Sequence, residues 1–187
     1  MIIEVGGDGI LFPGAVVQRE GVVRILYAGN FGYAHDYETL VAALAAPLPK
    51  GVELVFHSSG AGYEVFKRRI TSMPGAARVV LAGPLGTEDW VDAMARADIG
   101  LVTMRPGAED ILFPSKTYSA MLAGQAILAV CPRQSDLADT IVESDGGWVI
   151  EPGDRAGLRR LLEELATASG PRAYRAATRA GLRPTAF

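Results

Sequence analysis

Six short aliphatic segments alternate with six longer amphipathic ones along most of this chain, and this alternation limits the possible folds more than any other feature. The short segments are apolar at nearly every position, which predicts strands over residues 22–28, 52–57, 77–82, 99–103, 126–130 and 148–150. The longer segments carry apolar residues at helical spacing, which predicts helices over residues 36–46, 63–72, 87–97, 116–123, 135–143 and 155–168. The alternation favours an α/β domain, a doubly wound and mostly parallel six-stranded sheet with helices on both faces.

Composition divides the chain into three parts and excludes some classes of function. Residues 1–21 are crowded with Gly and Pro and are predicted to be a linker-like segment, residues 22–170 form the Rossmann-like domain, and residues 171–187 form a helix or tail with four arginines and no acid. A net charge of -3 argues against nucleic-acid binding. We expect a cytoplasmic protein, with the arginine-rich tail either on the inner face of the membrane or against another domain.

The small numbers of cysteines and histidines argue against disulfides, metal sites and a hydrolytic triad. The single cysteine, Cys131, excludes an internal disulfide and any metal cage built on cysteines. His35 and His57 are the only histidines, and neither has a nucleophile elbow or an acid at metal-ligand spacing nearby. The sequence therefore predicts no hydrolytic triad and no metal, and it leaves open whether His35 faces a ligand or is buried.

The loops that follow the first three strands all contain glycine. In a doubly wound sheet ligands bind beyond the carboxyl ends of the strands, and glycine lets the backbone approach a phosphate closely. Either tight turns or a diphosphate site would account for this pattern. The first of these loops contains Gly29, Asn30, Phe31 and Gly32, the second contains Gly60 and Gly62, and the third contains Pro84 and Leu85.

The longest connection, residues 104–113, leads into Ser115, Lys116 and Thr117 at the start of a predicted helix. A lysine opposes the helix dipole there unless an anion lies beside it, so Lys116 is the main candidate for a diphosphate contact. The alternative is a solvated lysine that reaches a nearby carboxylate. Glu109 and Asp110, in the same connection, either serve acid–base chemistry or form a solvated turn.

Taken together, several segments resemble a known family. YAGNFGYAHDYETLVAAL, LVFHSSGAGYEVFKRRI, VVLAGPLGTEDWVDAMARADIGLV, FPSKTYSAMLAGQAILAV and GGWVIEPGDRAGLRRLLEEL are similar to the C-terminal, donor-binding half of GT-B glycosyltransferases, and most similar to bacterial members of glycosyltransferase family 4. The resemblance covers about residues 22–165. The order of PSKTY, the small-residue helix that ends at Gly124, the aliphatic strand and EPGD carries most of it.

The resemblance implies that the chain binds a nucleotide-diphosphate sugar of the UDP or GDP type, without a metal or other cofactor. It also implies that the complete enzyme transfers the sugar, with retention, to a polysaccharide or lipid-linked acceptor held by an N-terminal Rossmann-like domain that this chain lacks. The isolated chain is then expected to be inactive. By similarity, the loop at Asn30, Phe31 and Gly32 faces the diphosphate, Gly60 and Gly62 line the donor cleft, and Pro84 and Leu85 flank the base.

Two departures from the family pattern keep other functions open. Many members carry two glutamates seven residues apart, and the matching positions here are Leu112 and Ser119. The basic pair that often follows the first strand is replaced by Asn30 and uncharged neighbours, which leaves Lys116 to meet the diphosphate charge. A sugar-nucleotide epimerase or hydrolase half, or a non-catalytic interaction module, remains an alternative, and no catalytic residue is assigned.

Overall fold

Six parallel strands form one sheet in the computed structural model, which describes residues 21–109 and 115–167. The strands are β1 (Val23–Asn30), β2 (Val52–Ser59), β3 (Val79–Ala82), β4 (Ile99–Thr103), β5 (Ala126–Val130) and β6 (Gly147–Ile150). Their order across the sheet is β3-β2-β1-β4-β5-β6, and every neighbouring pair is parallel. The predicted fold class is confirmed. Residues 1–20, Asp110, Leu112 and the segment 171–187 lie outside the described residues.

Six α-helices connect the strands, in the places that the sequence predicts. They are α1 (Glu38–Ala43), α2 (Ala61–Ile70), α3 (Thr87–Arg96), α4 (Lys116–Leu122), α5 (Asp136–Glu143) and α6 (Arg155–Leu165). The first helix begins at Glu38, two residues later than predicted. The Asp36 carboxylate lies ahead of it and accepts hydrogen bonds from the backbone N–H and the hydroxyl of Thr39, at 3.1 and 2.5 Å. A short 3₁₀ helix, Pro74–Arg78, replaces the beginning of the predicted third strand.

The sheet is buried on both faces, as the continuous apolar strands predict. Side chains alternate along β1: Ile25 and Tyr27 belong to one apolar cluster with residues of α1, α2 and α6, and Leu26 belongs to a second cluster with residues of α3, α4 and α5. Each helix therefore covers one face of the sheet. The two faces are closed by different groups of helices.

The strand order reverses between β1 and β4. These strands are neighbours in the sheet, while the chain leads from β1 towards β2 and β3 on one side and from β4 towards β5 and β6 on the other. The connections that follow β1 and β4 consequently diverge at the carboxyl edge of the sheet. A crevice between such connections is the usual ligand position in open α/β sheets.

Candidate functional site

A cavity of about 370 Å³ lies at this reversal, between α3 and α4 and against β1 and β4. Its buried lining is mostly apolar, with Leu26, Val102 and Met94, and it includes the side chain of Gln125. Its more exposed end is polar and is lined by Gly29, Asn30, Trp90, Ser115, Lys116 and Ser119. Among the residues that the structure describes, no carboxylate lines the cavity. The volume falls within the range of small-molecule sites.

Lys116 is the first residue of α4, and its side chain reaches from that helix to the end of β1. The Nζ atom donates a hydrogen bond to the backbone oxygen of Asn30 at 2.9 Å and another to the hydroxyl of Tyr27. It also lies 4.1 Å from the centre of the Tyr27 ring, which is a cation–π geometry. The ammonium is thus held at the carboxyl edge of the sheet, beside the cavity.

Gly29 makes room for this lysine. A Cβ atom at residue 29 would lie 2.9 Å from Cε of Lys116, and the φ angle of Gly29 is +132°. The φ angle favours glycine, because L-residues rarely adopt it, and a side chain at residue 29 would push the end of the lysine side chain from its place. Gly29, the next-to-last residue of β1, therefore leaves space for the lysine side chain.

The Lys116 ammonium has no carboxylate partner in the part of the chain that the structure describes. The ion pairs among residues 21–109 and 115–167 are all formed by arginines. Burial lowers the pKa of Lys116 to about 8, so the side chain is still mostly charged at neutral pH. The alternative that the lysine reaches a nearby acid is not what these residues show.

Five of the sequence-predicted contacts come together at the cavity: Gly29, Asn30, Ser115, Lys116 and Ser119. Ser115 occupies the N-cap position of α4, but its side chain makes no capping hydrogen bond. Ser119 lies one turn further along the same helix and is half-buried. The two serine hydroxyls and the ammonium are the polar side-chain groups that α4 contributes to the cavity.

The side chains of Phe31 and Thr117 are buried rather than turned to the cavity. Phe31 is fully buried and packs against Tyr27 and Phe56, with ring centroids 4.7 and 6.3 Å away. Thr117 is fully buried as well, and its hydroxyl has no hydrogen-bond partner among the described residues. Any contact of these two residues with a ligand at the cavity would therefore have to use the backbone.

The glycines after β2 pack against the loop after β1. A Cβ at Gly60 would overlap Oδ1 of Asn30, and one at Gly62 would lie 2.6 Å from the backbone oxygen of Gly32. Gly32 is half-buried in this contact. These glycines hold the Asn30 loop in place, which is a structural reason for the pattern.

Pro84 and Leu85, after β3, do not line the cavity. Pro84 is exposed and Leu85 is half-buried. They follow β3, which is the edge strand two positions from β1 in the sheet. The structure therefore does not bring them together with Lys116.

His35 is buried, which decides between the two alternatives left open by the sequence. Its Nδ1 lies 2.7 Å from the backbone oxygen of Thr103, and its ring packs against Tyr27 and Phe31. Burial, and then the charge of Lys116, lowers the pKa of His35 to about 4, so the ring is neutral at pH 7. His57 is half-buried and does not line the cavity, and neither does Glu109.

Tyr27 and Trp90 are two residues near the site that the sequence pattern does not predict. Tyr27 contacts Lys116 from within the core, and Trp90, on α3, forms part of the cavity wall. A tyrosine in a predicted buried strand does indicate a polar contact, because its hydroxyl needs a hydrogen-bond partner. The partner, 89 positions away in the chain, is visible only in the fold.

Membrane-spanning helices and metal-ligand clusters are both absent from the described residues. No helix within residues 21–109 and 115–167 has the length and hydropathy needed to cross a membrane. No group of three or more metal-ligating His, Cys, Asp or Glu side chains occurs in the same part of the chain.

Comparison with known proteins gives consistent matches. Residues 22–168 match the family described as Glycosyl transferases group 1. The chain is 28% identical to the probable glycosyltransferase WbjE of Pseudomonas aeruginosa over 139 residues. This alignment covers 74% of this chain and 34% of that protein. The chain thus spans about a third of the length of this relative.

Solved structures share the fold. WaaG, a glycosyltransferase involved in lipopolysaccharide biosynthesis, matches with a TM-score of 0.64 and 20% identity over 87% of this chain and 43% of that chain. Alr3699/HepE of Anabaena, in complex with UDP and glucose, matches with a TM-score of 0.61 and 18% identity over 86% of this chain and 44% of that chain. The fold is that of one half of a GT-B glycosyltransferase.

Proposed function

Because the chain belongs to the Glycosyl transferases group 1 family, we propose that it binds a nucleotide-diphosphate sugar in the cavity between α3 and α4, as the donor half of a glycosyltransferase. The observation that carries this proposal is the ammonium of Lys116. It lies at the polar end of the cavity, and the described residues that hold it are neutral. Buried charges are normally paired, and a diphosphate would supply the missing anion.

Within this proposal Lys116 meets the diphosphate, and the two cavity serines lie beside the rest of the nucleotide. When the bond between sugar and diphosphate breaks, negative charge increases on the departing diphosphate. A cation that is already in place stabilises this charge without reorganisation. Ser119 lines the same cavity one helical turn from Lys116, and in this proposal its hydroxyl would contact the ribose hydroxyls.

The acceptor and the outcome of transfer extend the proposal to the whole enzyme. We propose a polysaccharide or lipid-linked acceptor, bound by an N-terminal Rossmann-like domain, and transfer with retention. The chain spans about a third of WbjE and under half of WaaG, which leaves room for such a domain in those proteins. An isolated donor half would be inactive because it neither positions an acceptor nor excludes water.

We also propose that donor binding needs no metal ion. The described lining of the cavity offers one ammonium, hydroxyl groups and amide groups but no carboxylate, and this is a set suited to an anion rather than to Mg²⁺. Binding that is unchanged by EDTA would support this part of the proposal. Binding that requires added Mg²⁺ would contradict it.

Calorimetric titration with UDP and GDP tests the proposed function. We expect weak binding of at least one of them and its loss in Lys116→Ala. Lys67→Ala is the matched control, because Lys67 is an exposed lysine on α2, away from the cavity. No heat change with either nucleotide or with their sugar conjugates would overturn the proposal.

The alternatives make different predictions for the complete enzyme. An epimerase or hydrolase would convert the donor without an acceptor, whereas a transferase would convert it only with one. The described part of the cavity contains no acid and no histidine for acid–base chemistry. A non-catalytic module would show no shift of its melting temperature with nucleotides.

Peripheral membrane contact is a separate prediction for the arginine-rich segment 171–187, which lies outside the described residues. It is tested by sedimentation with vesicles that contain anionic lipid, compared with neutral vesicles.

A further inference from the structure

Tyr27 connects the end of β1 with the first residue of α4. Its side chain is fully buried, and its hydroxyl donates a hydrogen bond to the backbone oxygen of Asn30 at 2.7 Å. The same hydroxyl oxygen accepts the hydrogen bond from Nζ of Lys116. The ring lies 4.1 Å from that ammonium. One side chain thus makes three contacts with the candidate site, although it belongs to the core.

The packing of the ring does not by itself explain the hydroxyl. The ring packs with Phe31 and Phe56, at centroid distances of 4.7 and 5.8 Å, and a phenylalanine at position 27 would provide the same packing. Burial raises the pKa of Tyr27, so the phenol keeps its proton and remains a donor to Asn30. Its oxygen is therefore a neutral acceptor that faces the ammonium.

We propose that Tyr27 is a positioning residue, which holds the ammonium of Lys116 at the carboxyl end of β1 through its hydroxyl and the face of its ring. The ligand part of this inference rests on the proposed function, since a diphosphate would meet the ammonium where Tyr27 holds it. Without the hydroxyl, Lys116 would keep the bond to the backbone oxygen of Asn30 and lose its second acceptor.

The groups around the ammonium determine how the pKa of Lys116 changes when the Tyr27 hydroxyl is removed. Tyr27 and the Asn30 oxygen face it from β1, and His35, whose pKa is lowered to about 4, lies near it in the loop that follows β1. From α4, the cavity-lining groups nearest in sequence are the hydroxyls of Ser115 and Ser119. None of the described ion pairs places a carboxylate on this lysine. Removing the Tyr27 hydroxyl therefore destabilises the charged form and lowers the pKa of Lys116.

The test uses the full chain with lysine labelled at Cε by ¹³C. The sequence contains only three lysines, Lys50, Lys67 and Lys116, so their NMR signals can be assigned by single substitutions. We expect one signal to titrate near pH 8, and we expect Tyr27→Phe to lower that midpoint by about one unit, the size of a hydrogen bond to a charged group. An unchanged midpoint would overturn the proposal whether or not a nucleotide binds.

Tyr63→Phe is the matched control. Tyr63 is also a buried tyrosine, and its hydroxyl donates to the backbone oxygen of Ala82 at 3.0 Å, away from the cavity. Both variants lose one hydroxyl that donates to a backbone oxygen. A role in the core alone predicts similar losses of stability and no change in the Lys116 titration in either variant. The positioning role predicts a change in Tyr27→Phe only.

Nucleotide binding separates this inference from the proposed function. If the wild-type chain binds UDP or GDP, we expect about fivefold weaker binding in Tyr27→Phe and no change in Tyr63→Phe. Wild-type binding with equal affinity in both variants would overturn the positioning role and leave the proposed function standing. A shifted Lys116 titration without any nucleotide binding would support the positioning role and overturn the proposed function.

Discussion

The side chain of Lys116 crosses the backbone of Gly29 so closely that a Cβ at residue 29 would lie 2.9 Å from the lysine Cε. The two residues are 87 positions apart in the sequence, and they meet because β1 pairs with β4 and α4 packs on β4. A glycine that looks like part of an ordinary turn is thus a condition for the position of the ammonium.

We predict that Gly29→Ala weakens UDP or GDP binding by at least about tenfold, because the methyl group displaces the ammonium from its place beside Asn30. Stability should fall by about 1–3 kcal/mol, since alanine adopts a positive φ angle poorly. Titration calorimetry and urea unfolding measure the two effects. Gly153→Ala is the control, because Gly153 has a φ of +89° and a Cβ there would have no other atom within 4 Å. Equal affinities in the two variants would contradict the prediction.

We predict that nucleotide affinity falls as the pH rises through about 8, because only the protonated lysine attracts a diphosphate and burial lowers the pKa of Lys116 to about that value. Well above pH 8 the fall should approach tenfold per pH unit. Lys116→Arg keeps its charge and should remove this dependence, whatever its affinity at pH 7. Calorimetry between pH 7 and 10 provides the measurement.

Unfolding does not explain such a fall. The folded state has the lower lysine pKa, so between about pH 8 and 10.5 the unfolded chain binds more protons at Lys116 than the folded chain does. This residue therefore makes the free protein more stable with rising pH, in the direction opposite to the loss of affinity. An affinity that stays constant from pH 7 to 10 in the wild type would contradict the role of Lys116.

The fold could be predicted from the sequence because each strand and helix carries its own local pattern. The apolar strands and the periodic helices predicted all six of each within the described residues, since burial on both faces requires such residues in any doubly wound sheet. The exceptions are local. Asp36 lies ahead of α1 and accepts a hydrogen bond from the backbone of Thr39, and Pro74 begins a short 3₁₀ helix.

The candidate site could be predicted only in part, because glycine and aromatic residues have more than one use. The unfavourable position of Lys116 at a helix start predicts its role in a site, and the structure brings it to the cavity with Asn30. Gly60 and Gly62 carry the same local signal as Gly29 but pack against another loop. The sequence pattern around Tyr27 predicts a core residue. Its contact with Lys116 could not be predicted, because it depends on the pairing of strands that are distant in the sequence.

We predict that Cys131 reacts with thiol reagents only when the protein opens. It is fully buried after β5, and burial raises its pKa to about 11, so little thiolate exists at neutral pH. As the only cysteine, it reports on the whole domain. Labelling with a disulfide reagent should be slow at pH 7.5 and should accelerate with urea in step with unfolding. Rapid stoichiometric labelling of the native protein would contradict this burial.

We predict a loss of stability between pH 6.5 and pH 4 that comes from His35. Its folded pKa of about 4 lies below the ordinary value of 6.5, so in this window the unfolded chain binds the proton and the folded chain does not. Stability therefore falls as the pH falls, by about 3 kcal/mol in all if this histidine acts alone. Urea unfolding at pH 7 and pH 4 measures the difference. In His35→Phe the protein should be less stable at pH 7, because the backbone oxygen of Thr103 loses its partner, but its acid sensitivity should be smaller. His57→Phe changes the other histidine and retains His35, so the acid sensitivity should persist; the same reduction in both variants would refute the assignment to His35.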